Sequence, residues 1–83
     1  MKNNNNIIFV TSVKALPDYK LLVGFNTGEK KIFNFAVYLD FPPYRKLKNP
    51  ELFGKATTNG ETVIWDKDTD IAPERLYSDG IFA

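Results

Sequence analysis

The chain has 83 residues, 43% hydrophobic and 25% charged, a globular balance with room for one domain only. It contains no Cys and no His, which excludes a disulfide framework, a thiolate nucleophile, zinc–thiolate ligation and the commonest general base. The net charge of +1 argues neither for nor against nucleic acid.

Met1–Asn6, with one Lys and four Asn, reads as a disordered leader, and residues 7–83 as a single small β-rich domain. Ile7-Ile8-Phe9-Val10 is too short for a signal-peptide apolar region, and nothing approaches a membrane span. An unstapled small domain fits a reducing cytoplasm. Ile7–Leu16, rich in Ile, Val, Phe and Thr, predicts a first strand, and Pro17-Asp18 a turn. Tyr19–Phe25 and Glu29–Phe35 flank Asn26-Thr27-Gly28 and predict a β-hairpin, because Gly28 can take the left-handed conformation that closes a three-residue loop. That loop sets Phe25 opposite Glu29, Leu21 opposite Phe33 and Tyr19 opposite Phe35, with Leu22 and Ile32 on the other face. The face with more aromatic bulk is expected to meet the core.

Ala36–Lys48 reads as irregular, since Pro42-Pro43 interrupts any regular element, with Tyr38, Leu39, Tyr44 and Leu47 pinning it to the sheet. Asn49-Pro50-Glu51-Leu52-Phe53-Gly54 predicts one helical turn, with Asn49 as N-cap, Pro50 at the first position and Gly54 as stop. Lys55–Thr58 and Glu61–Trp65 flank Asn59-Gly60, a two-residue hairpin signal. Asp66–Asp70 reads as a charged loop, Ala72–Tyr77 as a second short helix, and the last residues as a tail anchored by Ile81 and Phe82. The fold class is therefore α+β, a small mainly antiparallel sheet with one or two short helices. Its expected core comprises Phe9, Val13, Leu21, Val23, Phe33 and Leu39, then Leu52, Phe53, Val63, Trp65, Leu76 and Tyr77.

Three patterns invite a chemical reading. Pro17-Asp18 followed by Glu29-Lys30-Lys31 has the letters of a metal-dependent nuclease motif, which needs two carboxylates converging on a metal. The hairpin register holds Asp18 and Glu29 at opposite ends of a strand, so the letters do not make a site. Asp66-Lys67-Asp68-Thr69-Asp70 begins like a calcium loop, but Ile71 stands where the turn glycine belongs and Tyr77 where the bidentate Glu belongs. A solvated turn is the better reading. Lys30, Lys31, Arg45, Lys46, Lys48 and Lys55 could form a basic patch with Tyr44 among them, the combination used by single-strand binders. Spread over 26 residues, they also describe ordinary solvated surface, which is preferred. Charge is uneven along the chain: residues 1–48 hold eight Lys/Arg against three Asp/Glu, residues 49–83 three against seven.

The ordered run is more specific than any one motif. Val13-Lys14-Ala15-Leu16-Pro17-Asp18-Tyr19-Lys20-Leu21 leads into Phe25-Asn26-Thr27-Gly28-Glu29-Lys30. Tyr38-Leu39, Leu47-Lys48-Asn49-Pro50-Glu51-Leu52-Phe53, Val63-Ile64-Trp65 and Asp70-Ile71-Ala72-Pro73-Glu74-Arg75-Leu76-Tyr77 follow. This resembles domain of unknown function 2442, a group of short bacterial proteins, over about residues 8–77. The resemblance implies a mainly β domain with short helices, and no established activity or catalytic residues. It also implies frequent encoding beside another small protein, in the manner of a toxin–antitoxin pair.

The functional expectation is a non-catalytic protein-binding module without cofactor or metal. Its expected partner is a small protein encoded next to it, with regulatory or antitoxin-like effect, or a second copy of itself through unprotected strand edges. The rival expectation is nucleic-acid binding through Lys30, Lys31, Arg45, Lys46 and Lys48, with Tyr44.

Overall fold

The computed structural model describes residues 7–82; the leader reading of Met1–Asn6 lies outside them. Alternating apolar residues build a four-stranded antiparallel sheet from β1 (Val10–Leu16), β2 (Lys20–Phe25), β3 (Lys30–Asn34) and β7 (Ile81–Phe82), in that order. A second antiparallel sheet joins β4 (Thr57–Thr58), β5 (Val63–Asp66) and β6 (Thr69–Ile71). Two short helices, α1 (Pro50–Phe53) and α2 (Pro73–Asp79), complete an α+β domain together with 3-10 segments at Pro17–Tyr19, Phe35–Tyr38 and Pro42–Lys48.

The β2–β3 hairpin has the expected register, with Leu21 opposite Phe33 and Leu22 opposite Ile32. Its loop closes through Gly28, whose φ of 90° is open to glycine and whose N–H donates to the Phe25 carbonyl at 2.9 Å. The expected pairing of Tyr19 with Phe35 does not form. Both residues lie in 3-10 turns, and the Asn34 side chain starts the second turn by accepting from the Ala36 N–H at 3.1 Å. Asp18 and Tyr19 both have φ near +60°, a left-handed conformation that is uncommon for tyrosine. Tyr19 is held there by its hydroxyl, which donates to the Lys48 carbonyl, and by an edge-on contact with Phe53 at 5.1 Å.

The first strand begins at Val10 rather than Ile7 because its approach is tied elsewhere. Asn26 accepts from the Phe9 N–H and donates to the Ile7 carbonyl, both at 2.9 Å, and the Val10 N–H goes to Glu61. Pro42-Pro43 starts the 3-10 segment rather than breaking one, since a proline at a helix start gives up no hydrogen bond. Asn49 caps α1 as expected, accepting from Glu51 N–H at 2.9 Å. The Asn59-Gly60 hairpin has a four-residue loop, not two, because Thr58 pairs with Val63 and the Asn59 carboxamide accepts from both Glu61 and Thr62 N–H groups. The charged loop narrows to Lys67-Asp68 between β5 and β6, and the tail is strand β7, paired with Lys31 and Ile32.

The core lies on one face of the larger sheet, where Leu21, Val23, Phe25 and Phe33 meet Leu47, Phe53 and Leu76. Phe35, fully buried, is the hub of an aromatic cluster with Phe33, Tyr38, Tyr44, Phe53 and Trp65 at centroid distances of 5.0–6.3 Å. Phe9 and Leu52, expected inside, are 38% and 36% exposed. Phe9 precedes the strand, and on the single turn of α1 it is Phe53 that turns inward. Val10, Phe25, Phe35, Leu47 and Ile71 are core residues absent from the expected set.

Candidate interaction surface

The basic residues singled out in the sequence do not form one face. Lys31 alternates onto the core side of β3 and is buried; its ammonium donates to the Tyr77 carbonyl at 2.6 Å and lies over the Tyr77 and Phe82 rings. Lys46 pairs with Asp66 at 2.7 Å and Lys48 with Asp40 at 3.0 Å, while the Arg45 Nε donates to the Asp40 carbonyl. The Lys46 pair joins the basic and acidic halves of the chain. Tyr44 packs edge-on against Phe35 and donates its hydroxyl to the Asp70 carbonyl at 2.9 Å, so its ring belongs to the core cluster. Burial raises the Tyr44 pKa above the ordinary tyrosine value, with the Asp70 charge adding to it. Of the two neighbouring lysines of β3, Lys30 is the exposed one, opposite Gly24. The Lys48 carbonyl accepts from the Tyr19 hydroxyl, and Tyr19 precedes β2 at the end opposite the Gly24–Lys30 pair. Asp18 and Glu29 are likewise split by the length of β2, about 20 Å. Asp66 is the Lys46 partner and accepts from the Asp68 N–H, which closes the β5–β6 turn. Among the described residues no three Asp, Glu, His or Cys side chains gather to hold a metal.

A different surface emerges from the register. Residues directly opposite one another in a sheet share a face. Leu21, Val23 and Phe33 face the core, so the intervening residues face outward. One row across the sheet is Lys14, Leu22, Ile32 and Ile81. The rows beside it are Ser12, Gly24 and Lys30, then Leu16, Lys20 and Asn34. Leu22 and Ile32 are half-buried and Ile81 is 74% exposed. Lys14, Lys20 and Lys30 are exposed, and no residue in the three rows is acidic. None of the buried apolar core residues comes from these rows. Strand alternation, not adjacency in the sequence, places Lys14 and Lys20 on the same face as Lys30.

The Tyr38–Phe41–Tyr44 rings and Arg75 border a second feature, a cavity of about 300 Å³ also lined by Ile71 and Ala72. Phe41 is 53% exposed and sits edge-on to Tyr38 at 5.7 Å. The Arg75 guanidinium lies 5.9 Å from the Tyr38 ring centroid, and its hydrogen bond to the Tyr38 hydroxyl is the main cause of its raised pKa. Asp79 accepts from the same hydroxyl at 3.1 Å, so cation and anion face each other across Tyr38. No helix among the described residues is long and apolar enough to cross a membrane.

A family model described as a protein of unknown function, DUF2442, matches residues 10–82. No curated protein matches the chain. Among solved structures, the chain is similar to a putative DNA binding protein from Nitrosomonas europaea, with a TM-score of 0.78 and 22% identity. The similarity covers 94% of this chain and 52% of that one, so the chain spans about half the length of its structural relative. At that identity the likeness shows the fold alone.

Proposed function

Taking as premise that the chain belongs to the DUF2442 family, we propose that it is a non-catalytic protein-binding module, a regulatory or antitoxin-like partner of a small protein encoded beside it. The observation that supports this reading is the outward face of the four-stranded sheet: an aliphatic row, Leu22–Ile32–Ile81, that belongs neither to the buried core nor to the side chains packed against it. The sheet's other face already packs on the core, and an antiparallel sheet can leave its second face to water; an aliphatic row on that second face is a surface that a partner can cover. The reading assigns no catalytic residue: the polar side chains beside the cavity, Tyr38, Arg75 and Asp79, are engaged with one another through the Tyr38 hydroxyl.

The test is co-expression with the adjacent gene product followed by co-purification. Recovery of a stoichiometric complex supports the reading. If nothing co-purifies and labelled DNA or RNA binds tightly at physiological salt, the reading fails.

A second reading, nucleic-acid binding, has its own support in the exposed Lys14, Lys20 and Lys30 and in the name carried by the Nitrosomonas relative. Salt separates the two. About three phosphate contacts give a log–log slope near −3 in affinity against salt, whereas an apolar protein interface responds weakly.

A further inference from the structure

We propose that the outward face of the four-stranded sheet is the docking surface for an acidic amphipathic helix of a partner protein. The inference rests on the protein-binding reading and specifies its surface and the chemistry of the partner.

Three lysines surround an aliphatic centre. With strands about 4.8 Å apart and alternate residues about 6.6 Å apart, Lys14 and Lys20 lie ~8 Å apart, Lys14 and Lys30 ~12 Å, and Lys20 and Lys30 ~14 Å, around Leu22 and Ile32. None of the three belongs to either ion pair formed among the described residues, which use Lys46 and Lys48. The face therefore offers positive charge with no internal partner around a surface that favours leaving water. An amphipathic helix matches both features. Its apolar stripe covers Leu22 and Ile32, and carboxylates two turns apart, ~10 Å, reach the surrounding lysines. A helix laid on a sheet face is also the ordinary way such a layer is completed.

Two observations favour protein over nucleic acid here. The centre of the face is aliphatic, and none of its three rows holds an aromatic ring on which bases would stack. Phosphate contacts to the lysines would leave the apolar row unpartnered. A strand added at the β1 edge is disfavoured at the Val10 end, where Val10 already bonds to Glu61 and Thr58.

The test uses the full chain and two synthetic helical peptides of about 18 residues, five turns, with the same Leu stripe flanked by Glu in one and by Lys in the other. Labelled duplex DNA is run in parallel. Binding is read by fluorescence anisotropy, and its location by amide shifts in a nitrogen-15 titration. The Glu peptide is expected to saturate the chain and to shift Lys14, Leu22, Ile32 and Ile81. The combined Lys14→Glu, Lys20→Glu, Lys30→Glu variant is expected to lose at least about tenfold in affinity and to prefer the Lys peptide. Shifts confined to another surface, equal binding of both peptides by the wild-type chain, or a triple variant within about twofold of wild type would overturn the proposal. Should the triple variant fail to fold, the shift map of the wild-type chain decides, together with Ile32→Ser. The natural partner separates the two levels. If it co-purifies with the triple variant undiminished, this inference fails and the protein-binding reading stands. If DNA occupies the face and no protein does, both fail.

Discussion

The Lys31 ammonium lies 3.8 Å from the centroid of the Tyr77 ring and donates to the Tyr77 backbone carbonyl at 2.6 Å. A lysine carried by strand alternation onto the core side is thus satisfied by aromatic faces and a carbonyl, without an acidic partner, and it ties β3 to α2. Truncation in Lys31→Ala removes a charged hydrogen bond and the ring contacts, with an expected loss of about 2 kcal/mol. Lys31→Met keeps the stem packing but not the donor, and is expected to fall between the two. The urea midpoint checks this, and a Lys31→Ala midpoint equal to wild type would contradict it.

Gly80 makes that same junction possible. Its φ of −76° suits any residue, so conformation is not the constraint. Space is: a Cβ there would come within 2.7 Å of the Leu76 carbonyl oxygen and 2.9 Å of the Lys31 Cβ. Gly80→Ala is expected to push β7 off β3 at a cost of about 1–3 kcal/mol. Hydrogen exchange should quicken at the β3–β7 pairing, with the β1–β2 ladder unchanged. Uniform acceleration across the sheet would argue against a local effect.

Asn26 fastens the segment before β1 to the hairpin loop through Phe9 N–H and the Ile7 carbonyl. Asn26→Ala is expected to cost about 1 kcal/mol and to speed exchange of the Phe9 amide. Asn26→Asp retains the acceptor for Phe9 but not the donor to Ile7, so its effect should be smaller. If the Phe9 amide exchanges at the wild-type rate in Asn26→Ala, the clamp is not a clamp.

Much of the fold was legible in the sequence because its signals were local. Gly28 dictated the loop, and the loop dictated the register that pairs Leu21 with Phe33. Asn49 and Pro50 marked α1 in the same way. The rest depended on contacts distant in sequence. β6 and β7 hold three and two residues, too few for periodicity to register, and each exists through its pairing with an earlier strand. Phe35 looked like the last residue of a strand, yet it is buried by rings from Tyr38, Tyr44, Phe53 and Trp65. The placement of the lysines depends on the same kind of distant pairing. Neighbouring lysines 30 and 31 point to opposite faces, whereas Lys14, Lys20 and Lys30 share one. Leu22 and Ile32 on the outward face were correctly expected, and the lysines around them follow from the same alternation.

The Asp66–Lys46 pair gives the β5–β6 turn a share in acid stability. The Lys46 ammonium at 2.7 Å, with the Asp68 N–H second, holds the Asp66 carboxyl down from 3.8 to about 2. A carboxylate depressed on folding stabilises the native state above its unfolded value, and that contribution is lost as pH falls through 3.8 toward about 2. Glu29, lowered chiefly by the hydrogen bond from the Tyr77 hydroxyl, acts with the same sign below its ordinary 4.5. The raised Tyr77 acts oppositely, adding stability below its ordinary 10.0 that is lost as pH rises beyond it. Urea midpoints are therefore expected to be level near neutrality and to fall in acid, and Asp66→Asn should flatten part of the acid limb. Both partners are nearly half exposed, so about 1 M salt should shrink the Asp66 contribution. Carboxyl-detected NMR gives the direct reading: an Asp66 midpoint near 2 is expected, and one at 3.8 would show that the pair does not hold in solution.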